Sequence, residues 1–214
     1  LISGQTFAND DIFVGSHSGT EGTVTEHVYD EEIITATYTN IMTQNTTEMD
    51  IEPGTVSEAV YQMGNYYKDN NPTLEHWEQL VALKLAGHKL KTAAWNLDSW
   101  DKDDIDTMSP ATSYAGRILG LLALDEDPTN YGGRNLTQEL LNKQQPSNGS
   151  FGGSVNNTIW AMIALDEARV DYDKTKAIEY LKAEQKPDGG FALSGTVGDP
   201  DITGEALMAL SRCI

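Results

Sequence analysis

The chain has no lysine or arginine before Lys68, only one cysteine and no long apolar run, and each absence removes a class of function. Of its 214 residues, 33 are Asp or Glu and 14 are Lys or Arg, giving a formal net charge of −19. A surface of that sign repels phosphate backbones and anionic headgroups, so neither nucleic-acid binding nor a polybasic membrane patch is expected. The single thiol, Cys213, can form neither an intramolecular disulfide nor a cysteine-rich zinc site. No stretch approaches the roughly 20 apolar residues of a spanning helix, so no membrane insertion is expected. Nucleophile elbows of the Gly-x-Ser-x-Gly type and glycine loops that cradle phosphate are missing as well.

What is present suffices for a core: 39% of the residues are hydrophobic and only 22% charged, which separates the chain from disordered sequences. Residues 1–67 hold 11 acids and no base, and the other 147 residues hold 22 acids and 14 bases. The texture changes nearby. Residues 1–50 are rich in Thr and β-branched residues, and Thr23–Tyr29 and Glu32–Thr39 read as short strands. This segment, β-rich or an acidic extended linker, is too short to be secure alone. Residues 51–214 are expected to form the main domain. The opening Leu1 suggests a mature or trimmed chain.

From Thr55 the pattern turns helical, with Val56, Ala59, Val60, Met63 and Tyr67 at three- and four-residue steps after the Pro53-Gly54 break. A repeat of about forty residues follows. Leu141 to Phe151 matches Leu181 to Phe191 at an offset of 40, with Gln145 opposite Gln185 and Asn148 opposite Asp188. Ala82-Leu83, Ala123-Leu124, Ala164-Leu165 and Ala209-Leu210 form a second column at spacings of 41, 41 and 45. Three residues before each Ala stand Gln79, Gly120, Ala161 and Ala206, mostly small and suited to close helix approach. Each unit reads as a helix, a glycine-rich turn plugged by Phe151 or Phe191, and a second helix. Such hairpins bury their apolar faces only by stacking.

Gln185-Lys186-Pro187-Asp188-Gly189-Gly190-Phe191 resembles the glutamine-glycine-aromatic repeat of squalene-hopene cyclases and protein prenyltransferase β subunits, which are α/α toroids. Ser113 to Leu124, Asp127 to Gly133, Phe151 to Asn156 and Thr158 to Ala161 are more similar to the toroid modules of secreted Gram-positive surface proteins, relatives of the cobalamin carriers transcobalamin and intrinsic factor. The resemblance covers residues 55–214. It implies a mainly α fold, a partial α/α toroid with a small N-terminal β-rich or extended segment. The family ring has about six hairpins and four second helices are countable here, so an incomplete ring with an open apolar edge is expected, and with it a partner or a homo-oligomer.

The resemblance directs attention to acids and aromatics. In the cyclases an Asp-x-Asp-Asp motif protonates an alkene. Asp101-Lys102-Asp103-Asp104 matches its letters but not its place at a helix start, whereas Asp199-Pro200-Asp201-Ile202 has the place but lacks the last acid. Asp201 is thus the candidate acid, and capping of the helix N-terminus by Asp199 or Asp201 is the competing role. Zinc-dependent prenyl transfer would need Asp, Cys and His to converge, and His17, His27, His76 and His88 are scattered. A thioester Cys-Gly-Glu-Gln is absent. Asp98, Asp101, Asp103, Asp104 and Asp106 crowd one loop as a calcium candidate without EF-hand spacing, with a solvated acidic loop as the alternative.

By place in the repeat, Asn157, Trp160, Asp201 and Glu205 are expected near the mouth where second helices begin, while Trp95 and Trp100 flank the acidic loop. Four glycosylation sequons occur in a chain rich in Asn and Thr, beginning at Asn45, Asn135, Asn148 and Asn156. The leading expectation is a noncatalytic extracellular or surface-attached module of a Gram-positive bacterium that binds a small molecule or a protein. The alternatives are an isoprenoid cyclase or prenyltransferase-like fragment, and a cobalamin or corrinoid binder. The last rests on resemblance alone.

Overall fold

A computed structural model describes residues 22–29, 32–38, 55–102 and 105–213, the first two stretches and residues 101–102 as backbone alone. The chain divides near residue 45 into two compact units. In the first, β1 (Gly22–Tyr29) pairs antiparallel with β2 (Glu32–Tyr38), in a register from Gly22 opposite Tyr38 to Tyr29 opposite Glu32, with an irregularity between Val24 and His27. The other residues of the expected N-terminal segment lie outside the described ones.

The second unit is helical: α1 (Val56–Asn70), α2 (Trp77–Leu85), α3 (Asp98–Lys102), α4 (Ala111–Ala123), α5 (Leu136–Leu141), α6 (Val155–Glu167), α7 (Lys174–Glu184) and α8 (Pro200–Ser211). Polar caps set the starts. Thr55 Oγ1, Asn135 Oδ1, Ser154 Oγ, Asp173 Oδ1 and Asp199 Oδ1 each accept a backbone N–H from the first turn of their helix. Helices α4 and α6 end with Asp125 and Arg169 in the left-handed region, at φ 56° and 57°, where Glu126 and Val170 N–H bond back to Leu121 and Leu165.

The core lies on α4 and α6, which are buried almost all round. Helix α2 packs on α4, α4 on α6 and α6 on α8, with α5 beside α4 and α7 against α6. These second helices run the same way, because both of their ends adjoin. At the starts, Thr112 N–H of α4 donates to Asn157 Oδ1 of α6 at 3.2 Å. At the far ends, Lys84 Nζ meets Asp125 at 2.7 Å, joining α2 to α4, and Arg212 Nη1 meets Glu167 at 2.6 Å, joining α8 to α6.

Two expectations need correcting. The apolar stripe of α1 does not face the core: Val56, Ala59, Val60 and Met63 are exposed, and the buried residue is Gly64. A Cβ at Gly64 would lie 2.0 Å from His88 Nε2, so the missing side chain is what admits the His88 ring. That ring stacks on Tyr61 at 4.5 Å and meets the edge of Trp95 at 6.0 Å, so α1 docks through aromatic rings instead of its aliphatic stripe. The repeat offset is the other correction. In the helices it is 41: Leu136 and Leu140 are buried opposite the buried Ala177 and Leu181, and Gln144 opposite Gln185 reaches the glycine carbonyl of its turn, at Gly149 or Gly189. The offset drops to 40 only in the turn, where Asn148 and Asp188 accept from Ser150 and Gly190 N–H. The first turn holds one residue more, so a gapless alignment paired Gln145 with Gln185.

Candidate functional site

The starts of the second helices gather at one end, and space for large side chains there comes from glycines of α4. A Cβ on Gly116 would lie 2.5 Å from the Trp77 ring, and one on Gly120 2.2 Å from the Trp100 ring. The small-residue column at Gly120 therefore admits an indole where close helix approach was expected. Between α2 and α4 a cleft of about 310 Å³ opens, walled by Trp77, Trp100, Thr112, Ser113 and Arg117. Arg117 is buried, its guanidinium 3.9 Å from the Trp100 ring centroid and its Nη1 donating to the Trp100 carbonyl at 3.0 Å. Gln79 braces the α2 side by accepting from Glu75 and His76 N–H at 2.7 and 2.9 Å.

Of the four residues expected at the mouth, Trp160 and Glu205 come together. Trp160 of α6 stands edge-on to Trp77, with centroids 4.9 Å apart, and its indole lies near enough to Glu205 of α8 to act on that carboxyl's proton affinity. Burial raises the Glu205 carboxyl above its ordinary value, the Trp160 indole opposes the rise, and the negative charges of Asp201 and Asp199 add to it. Glu205 Oε2 is buried with no hydrogen-bond partner among the described residues. Asn157 plays a structural part: its Oδ1 caps α4, which begins at Pro110 with no side-chain cap of its own.

Asp201 is exposed in the first turn of α8, and Asp199 is the cap, its Oδ1 taking Asp201 and Ile202 N–H at 2.8 and 3.1 Å. A carboxylic acid that protonates an alkene must be kept neutral in a dry pocket, and an exposed first-turn carboxylate has no such shelter. In the acidic loop, Asp106 Oδ1 accepts from Met108 N–H at 2.9 Å and Ser109 Oγ at 3.2 Å, a turn that leads into α4. The side chain of Asp101, and Asp103 and Asp104 entirely, lie outside the described residues. Among the described residues no three His, Cys, Asp or Glu are placed to hold a metal ion. Trp95 and Trp100 are both buried core residues.

A polar knot ties the segment before α4 to α5. The Tyr114 hydroxyl donates to Glu139 Oε2 at 2.8 Å and lies 3.0 Å from the Asp106 carbonyl, while Arg134 Nη2 meets the same carboxylate at 2.6 Å and Nη1 bonds the Ile105 carbonyl. Burial, with the Glu139 bond and charge, pushes the Tyr114 hydroxyl up to about 12. Trp77 and Arg117 escaped the sequence reading, and His88 was weighed only as a zinc ligand. The glycines at Gly116 and Gly120, one turn apart on an otherwise bulky helix, were the signal that two rings sit against α4. Comparison with family models, with curated proteins and with solved structures finds no match to this chain.

Proposed function

We propose that residues 55–213 are part of an α/α toroid of the kind the repeat resembles, and that the gathered helix starts bind a small molecule without transforming it. The meeting of Trp77, Trp160 and Glu205 carries this reading. Half-exposed indoles beside a carboxylate with an unpartnered buried oxygen favour a ligand with a flat or apolar body and a positive or hydrogen-bond-donating group. The excess of acid over base in the chain attracts ligands of that charge. The same-direction packing of α2, α4, α6 and α8 supports the toroid half of the proposal. The resemblance further suggests an exported or surface-attached setting.

Calorimetric titration tests the reading, with benzyltrimethylammonium chloride and hydroxocobalamin as separate probes of the parent and of Trp160→Ala. Saturable heat from the cation, at least tenfold weaker in the variant, is the expected outcome, and the affinity falls as Glu205 is protonated at low pH. A flat titration with the cation sinks the proposed ligand chemistry. Heat from hydroxocobalamin alone would move the assignment to a corrinoid. Turnover of a polyprenyl diphosphate that Asp201→Asn abolishes would replace binding by catalysis.

A further inference from the structure

The turn between α5 and α6 contains a reactive pair. Asn148-Gly149 is the one Asn-Gly step in the sequence, and Asp188-Gly189 stands in its place in the next turn. Glycine shields its own amide nitrogen least, because it has no Cβ, so that nitrogen can reach the carboxamide of the asparagine before it. We propose that Asn148 is a site of self-deamidation, held off while the turn is closed and reacting when the turn opens. The chemistry is independent of what binds at the helix starts.

The step needs only water. The Gly149 nitrogen gives up its proton to solvent base and attacks Asn148 Cγ. The N–Cγ bond forms, the Cγ–Nδ2 bond breaks, and Nδ2 leaves with a proton as ammonia, closing a cyclic imide. Water then opens the imide at either carbonyl. Opening at Cγ leaves aspartate; opening at the backbone carbon leaves isoaspartate, in which the chain runs through the side chain and is longer by a methylene.

The closed turn opposes the attack at both atoms. Gly149 N–H donates to the Gln145 carbonyl at 2.8 Å, so the proton that must leave is held. Asn148 Oδ1 accepts from Ser150 N–H at 3.1 Å and from Ser150 Oγ at 2.9 Å, which fixes the carboxamide. Asn148 is exposed, whereas Gly149 and Ser150 are buried, so solvent base is kept from the nitrogen. The turn is in addition pinned to α7 and its cap. Lys176 Nζ donates to the Pro146 carbonyl at 3.0 Å, and Gln144 Nε2 lies 3.2 Å from the Gly149 carbonyl and 2.9 Å from that of Asp173. Reaction therefore waits on local opening, and its rate in the folded chain reports how often the turn opens.

The two products meet different fates on closing. A carboxylate fits, because Asp188 Oδ1 accepts Gly190 N–H at 3.0 Å as Asn148 Oδ1 accepts Ser150 N–H. Isoaspartate does not fit. A Cβ on Gly149 would already lie 2.4 Å from the Lys176 backbone carbon, so the turn has no slack against α7 for a lengthened chain.

Peptide mapping by mass spectrometry tests this on the full chain, aged at mildly alkaline pH either folded or in concentrated urea. In urea, position 148 is expected to turn acidic ahead of every other asparagine, and in the folded chain at least tenfold more slowly. Ser150→Ala removes one of the two donors to Oδ1, and circular dichroism checks that it stays folded. It is expected to deamidate several-fold faster than the folded parent. Asn148→Asp is expected to keep the parent's melting temperature. When chains aged in urea are refolded and trimmed with protease, the surviving fraction is expected to retain aspartate at position 148 and to be depleted of isoaspartate, the two being separated by chromatography. A folded parent that reacts as fast as in urea, a Ser150→Ala rate equal to the parent's, a lowered melting temperature in Asn148→Asp, or isoaspartate that survives trimming undepleted would each overturn the proposal.

Discussion

Glu205 and His88 are both partly or wholly withdrawn from water, and burial acts on them in opposite senses. For Glu205 the folded chain holds its proton more tightly than the unfolded chain, so this group lowers stability once the pH exceeds its raised value. Glu205→Gln keeps the shape of the side chain and removes its charge. It is expected to stabilise the fold at neutral pH, a gain that shrinks as the pH falls and the carboxyl of the parent takes up its proton. Denaturant titrations at neutral and acid pH check this. His88 is held below its ordinary value by burial and by the Lys68 charge, against the opposing bond to the Tyr61 carbonyl. Its unfolded form takes up a proton near pH 6.5 while the folded form resists, so stability falls as the pH drops through about 6.5 toward the folded value. Replacing His88 by Phe, which retains a ring over Tyr61, should shrink the difference in melting temperature between pH 7.5 and 5.5. An undiminished difference would remove His88 from the account.

At the scale of elements, the glycine turns separate conformational need from crowding. Gly149 and Gly189 both sit in the left-handed region, at φ 78° and 88°. A Cβ on Gly149 would meet the Lys176 backbone carbon at 2.4 Å, whereas one on Gly189 meets nothing within 4 Å. Ala at Gly189 should cost about 1 kcal/mol of backbone strain. Ala at Gly149 should cost ~1–3 kcal/mol more, because it pushes the turn off α7. Equal losses in chemical denaturation would show that the turn does not pack on α7 as described. The hairpins were readable beforehand because period, caps and glycines are local signals. The exposed stripe of α1 was not, since which face is buried depends on a ring, His88, brought from 24 residues away to a glycine. The register was blurred by one extra residue in a turn, which only its hydrogen bonds reveal.

For the whole molecule, the second helices stack in one direction and their starts share an end, which repeat counting implied and the ties at both ends of the helices make concrete. Trp160 and Glu205 were singled out by their place in the repeat, and the structure sets the two side chains near each other. Asn157 was legible in place but not in role, because the need it meets, an uncapped α4, belongs to a neighbouring repeat. Trp77 and the Arg117–Trp100 stack arise from contacts between units with no signature in either alone. The acidity, first a filter on partners, acquires a local meaning at Glu205, whose carboxyl feels the charges of Asp201 and Asp199. The most direct measurement is the indole N–H resonance of Trp160 in the labelled protein during a titration with benzyltrimethylammonium chloride. A saturable shift that is lost in Glu205→Gln is expected. A Trp160 resonance that stays fixed, or moves alike in both proteins, would contradict a binding mouth built from these two side chains.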